Sequence, residues 1–73
     1  MTEQPDFEAT WALAAAIPGW LTRDQGRVLW DAASRLGPGE RIVEIGSHQG
    51  RSTVVLGTAA RTVGARVTAI DPF

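Results

Sequence analysis

Cysteine is absent from the 73-residue sequence, which excludes disulfide staples and cysteine-ligated metals and suits a reducing, cytoplasmic setting. An excess of either charge sign is missing too. With Lys+Arg 7 against Asp+Glu 8 the formal net charge is -1, so bulk electrostatics supply no case for nucleic acid or anionic membrane as a partner. Long apolar runs are lacking: Trp11 to Ile17 is the longest, far short of the roughly 20 residues that cross a bilayer. The first residues carry Glu3 and Asp6 with no early lysine or arginine, unlike a secretory signal. No internal repeat, low-complexity tract or interdomain linker appears. The length describes at most one small domain, and a domain of this size buries only about 60% of its unfolded surface.

What is present is organised around residues 41 to 53, where an apolar run breaks at a glycine and restarts as a helix. Ile42, Val43 and Ile45 are β-branched and bounded by Pro38-Gly39 and Gly46, a pattern that predicts a strand buried on both faces. Glu44 alone is polar in that run. A carboxylate is costly to bury without partners, so Glu44 is expected at the open carboxyl end of the strand, where open α/β sheets bind ligands. Gly46 allows backbone angles closed to other residues and close approach of a ligand to the main chain. Gly50 stands where a helix should begin, its first-turn N–H groups facing the strand end with the Ser52 and Thr53 hydroxyls beside them. A plain strand-turn-helix corner is the bland alternative.

Three ligands compete for such a loop. A dinucleotide fingerprint needs G-x-G-x-x-G, but Ser47 and His48 follow Gly46, so the second glycine is missing. A phosphate-binding P-loop is one residue longer and carries lysine where this chain has Arg51. Glu44 would repel a polyphosphate and favours a ligand with positive charge. S-adenosyl-L-methionine, with an ammonium and a sulfonium, is such a ligand.

Val43 to Ser52, with Glu44, Gly46, Gly50 and Ser52 in an E-x-G-x-x-x-G-x-S arrangement, resembles the first motif of class I S-adenosylmethionine-dependent methyltransferases, closest to small-molecule O-methyltransferases. Val67-Thr68-Ala69-Ile70-Asp71 resembles the second. The resemblance implies a Rossmann-like α/β fold, with two helices before a parallel β-α-β unit. It also implies a cofactor site of Glu44, Gly46, Ser47, Gly50, Ser52 and Asp71, with Asp71 on the ribose hydroxyls and Ser52 at the methionine end. The implied partner is a small-molecule methyl acceptor. No catalytic or metal-ligating residue is assigned.

The remaining chain divides into three. Residues 1–21 form an N-terminal helix and connection: Asp6 is a candidate N-cap, Phe7, Trp11, Ala14 and Ala15 recur at helical spacing, and Pro18-Gly19 ends the helix. Trp20 and Leu21 then predict an anchored connection. Residues 22–37 form a second helix, opened by the capping box of Thr22 and Gln25 and closed by Gly37. Val28, Leu29, Ala32, Ala33 and Leu36 make its apolar stripe. Residues 41–73 form the β-α-β unit, with a helix from Arg51 to about Val63, Gly64 at its end, and a returning strand from Arg66 to Ile70. Gly57 inside that helix predicts a tight helix-strand approach.

Bland roles accompany the sharper ones. Asp71 alone is an ordinary turn residue, His48 a rim residue, Arg51 a solvated helix-start residue, and Trp11, Trp20 and Trp30 packing groups. Class I methyltransferases resemble a seven-stranded sheet more than twice this length. The chain is therefore expected to be the N-terminal part of such a domain, inactive alone, with an open sheet edge that favours self-association. Two alternatives stand beside this: a fragment of a nicotinamide-dependent oxidoreductase, and a non-catalytic interaction module.

Overall fold

Asp6 starts the first helix. From an extended backbone conformation its carboxylate accepts the Ala9 N–H at 2.8 Å, satisfying one of the helix's free donors. The computed structural model describes residues 5–46 and 50–70. Within them the order is α1 (Phe7–Ala14), α2 (Arg23–Ser34), β1 (Arg41–Ile45), α3 (Arg51–Thr62) and β2 (Arg66–Ile70). The result is a small α/β fold of three helices and a two-stranded parallel sheet.

α1 ends before the Pro18-Gly19 pair that the sequence marks as its stop. The Ala16 and Ile17 N–H groups reach back only three residues, to Leu13 and Ala14, because a residue before proline is pushed away from helical angles. Phe7, Thr10 and Ala14 are buried and Trp11 is half-buried, whereas Ala15 is exposed. Phe7 stacks on Trp11 at 6.3 Å and meets Trp30 edge-on at 6.0 Å, so these aromatics join α1 to α2. Trp20 does not anchor its connection: it is 95% exposed.

The capping box of α2 is present, with the Gln25 N–H donating to Thr22 Oγ1 and the Thr22 N–H donating to Gln25 Oε1. Its inner face is Gly26, Leu29, Trp30 and Ala33; the predicted stripe is displaced, since Val28 is 68% exposed and Ala32 is exposed. The displacement has a local cause. A Cβ at Gly26 would sit 2.9 Å from Trp11 Cζ3, so the glycine is where α1 and α2 touch. Gly37, expected to close the helix, is not among the glycines of positive φ. The helix closes with three-residue backbonds from Arg35 and Leu36, and Gly39 takes the positive φ, +83°. Gly37 instead donates its N–H to Glu40 Oε1.

α3 packs against α1, α2 and β2. It buries Val55, Leu56, Ala59 and Ala60, and Ala33, Leu56 and Ala59 form a core with Leu29, Trp30, Ile42 and Val67 around it. Gly64 ends this helix region with φ +75°. Gly57 is not a tight approach, because a Cβ there would meet nothing within 4 Å.

The strands pair from Arg41↔Arg66 to Ile45↔Ile70. Gly46 N–H to Ile70 O and Arg66 N–H to Glu40 O extend the backbone bonding at both ends. β1 alternates rather than being covered twice: Ile42 and Glu44 are half-buried, while Val43 is 54% and Ile45 78% exposed. Ile42 and Val67 both point into the one helical core, so the opposite face has no cover among the described residues. The accessible surface is 5034 Å², against about 4,400 Å² expected of a folded monomer of this mass.

Candidate functional site

Parallel register brings the carboxyl ends of β1 and β2 to one edge, since Ile45 pairs with Ile70. The chain leaves that edge at Gly46, φ +79°, and enters α3 at Gly50, φ +94°. A Cβ at either glycine would meet nothing within 4 Å. Glycine is therefore required there by backbone angle rather than by crowding, and the space beside both is open.

Glu44 reaches from the last turn of the strand to the first turn of the helix. Ser52 Oγ donates to its Oε2, and Thr53 Oγ1 donates to Oε1 at 2.5 Å. The alternation of β1 puts Glu44 on the helix side with Ile42, and α3 begins within two residues of Gly50, so the three side chains meet. This settles the cost of a half-buried carboxylate: charge-assisted hydrogen bonds replace part of its water. The hydroxyls expected to serve a ligand as donors are thus spent on Glu44. What these side chains still offer outward is acceptor capacity, on the two hydroxyl oxygens and the unused lone pairs of the carboxylate, beside a helix start whose N–H groups have no side-chain cap.

Of the residues predicted for the cofactor site, the structure brings Glu44 and Ser52 into contact and sets Gly46 and Gly50 at the two ends of the intervening loop. Ser47 and Asp71 lie outside the described residues, as does His48. Among the described residues no group of three or more His, Cys, Asp or Glu side chains could hold a metal ion. Nor is any helix long and apolar enough to cross a membrane.

Arg51 is neither solvated nor directed to a ligand. Its Nε donates to Ile17 O at 2.7 Å, Nη1 to Leu21 O at 2.8 Å and Nη2 to Ala15 O at 3.2 Å, with the guanidinium 5.7 Å from the Trp11 ring centroid. It ties the α1–α2 connection to the start of α3. The signal that could have found it is the connection itself. Carbonyls freed by a proline turn must find donors somewhere, and Arg51 carries five.

The charge of this cluster attracts cations and repels polyphosphates. No protein-family model matches the chain.

Proposed function

We propose that this chain is the S-adenosyl-L-methionine-binding β-α-β unit of a Rossmann-like methyltransferase acting on a small molecule. The observation that supports this most directly is the Glu44–Ser52–Thr53 cluster at the shared carboxyl edge of two parallel strands, flanked by left-handed Gly46 and Gly50. Glu44 and the Ser52 oxygen would accept from the cofactor's ammonium, and the loop from Gly46 to Gly50, with Ser47 in it, would bring main-chain groups to its amino-acid end. Asp71, next in sequence after β2, would accept from the ribose hydroxyls. Bound there, the cofactor supplies an electrophilic methyl group. The residues of this chain contribute position: they hold the donor in line for an acceptor atom, a source of rate that needs no proton transfer from them. General base and acceptor pocket are assigned to no residue of this chain.

Calorimetric titration with S-adenosylmethionine and S-adenosylhomocysteine tests the proposal. Binding is expected to weaken about tenfold or more in Glu44→Ala and in Asp71→Ala, as loss of one charge-assisted contact implies. Equal affinity in all three proteins defeats the assignment, and binding of nicotinamide nucleotides instead would favour the oxidoreductase alternative. The uncovered sheet face and free strand edges support self-association; a concentration-independent monomer in sedimentation defeats that part alone.

A further inference from the structure

We infer that a second site, centred on the arginines at the amino edge of the sheet, takes a small phosphate-bearing anion. A depression of about 550 Å³ runs from there along α3 as far as Thr53, lined also by Arg41, Arg61, Arg66, Gly57 and Thr68. Arg41 and Arg66 are direct partners in the strand register. Like charges placed opposite each other across paired strands are destabilising, so this is a local conflict of the kind that folds retain at functional positions.

Neighbouring acids do not resolve it. Among the described residues the ion pairs are Arg23–Glu8 and Arg27–Asp31, both remote in sequence from these three arginines. Glu40, adjacent to Arg41, accepts the Gly37 N–H. Arg61 has a partial structural role, since a cation in the last turn of α3 offsets the negative end of the helix; the Arg41 and Arg66 guanidinium groups have no ion pair among the described residues. All seven basic residues of the chain are arginine, the side chain whose planar fork matches phosphate oxygens in pairs.

The rest of the lining is compatible. Thr68 is exposed and brings a free-rotating hydroxyl, whereas the Thr53 hydroxyl is already donated to Glu44. Gly57 leaves the wall bare. An anion seated among the guanidinium groups removes their mutual repulsion, so its binding raises the stability of the folded state. The arginines sit at the opposite ends of the strands from the carboxyl-edge crevice, and the two sites share Thr53, which lines the depression and donates to Glu44.

Inorganic pyrophosphate is the probe, with the 73-residue chain and sodium chloride at matched ionic strength as control. Pyrophosphate is expected to raise Tm beyond the salt control, and calorimetry to show saturable heat. Arg66→Gln should raise Tm without anion and weaken pyrophosphate binding about tenfold or more. Gly57→Glu, which adds a carboxylate where nothing obstructs it, should abolish binding, while Gly57→Ala should leave it unchanged. Absence of saturable heat, equal Tm in chloride and pyrophosphate, or binding that survives Gly57→Glu overturns the site. Pyrophosphate binding that tightens about tenfold or more in Glu44→Ala, where a repelling carboxylate has gone, would place the anion in the crevice and overturn it as well.

Discussion

Arg51 lies over the face of Trp11, 5.7 Å from the ring centroid, while its guanidinium donates to the carbonyls of Ala15, Ile17 and Leu21. One side chain closes the α1–α2 connection onto α3. Arg51→Ala should cost about 2–4 kcal/mol, from charged hydrogen bonds of about 1.5–3 kcal/mol and the lost aromatic contact. Arg51→Lys should recover less than half of that, because a point charge cannot serve three divergent acceptors. Urea denaturation midpoints at constant slope are the measurement.

Two glycines in helices should respond in opposite directions to alanine. At Gly26 the added methyl meets Trp11 at 2.9 and 3.1 Å, and overpacking of that kind costs about 1–3 kcal/mol. At Gly57 it meets nothing, and helix propensity gains up to about 1 kcal/mol. Paired thermal melts of the two variants check the contrast; two shifts of the same sign would contradict it.

Thr10 is 1% exposed, and its Oγ1 has no hydrogen-bond partner among the described residues. A buried hydroxyl without a partner carries a desolvation cost of about 1–3 kcal/mol. Thr10→Val keeps the shape and removes the polar atom. The variant should melt several degrees higher, at about 4–8 °C per kcal/mol for a domain of this size.

Trp20, at 95% exposure, should behave as a solvent-facing reporter. Trp20→Ala is expected to change stability by no more than about 0.5 kcal/mol. It should also remove the most red-shifted, iodide-quenchable part of the tryptophan fluorescence. Trp30→Ala should instead unfold the α1–α2 contact, since Trp30 meets both Phe7 and the core.

The contrast among these residues explains what was legible beforehand. Asp6, the Thr22–Gln25 box, the unusual backbone angles of Gly46 and the helix boundaries at Gly50 and Gly64 were readable because their causes lie within three or four residues of chain. Strand order and helix order followed from the same short-range punctuation. Arg51, Gly26 and Trp20 were not readable, because their roles depend on partners, or on the lack of them, far along the chain. The stripe of α2 slipped for that reason: hydropathy weights Val28 and passes over a glycine that is buried only because Trp11 covers it. Glu44 was legible as the odd residue of its strand. That both first-turn hydroxyls of α3 would turn toward it was not, since an N-terminal hydroxyl serves equally well as a cap, a ligand donor or a carboxylate partner.

Arg51 has one further consequence. Its three bonds join residues separated by 30, 34 and 36 positions, and the same residue opens α3 directly after Gly50. The start of α3 and the α1–α2 connection therefore share a joint. A disturbance of the loop that rotates the first turn of α3 must pull on the peptide groups of Ala15, Ile17 and Leu21. On the proposed function, amide exchange from Ala15 to Leu21 becomes a remote gauge of ligand at the carboxyl edge of the sheet.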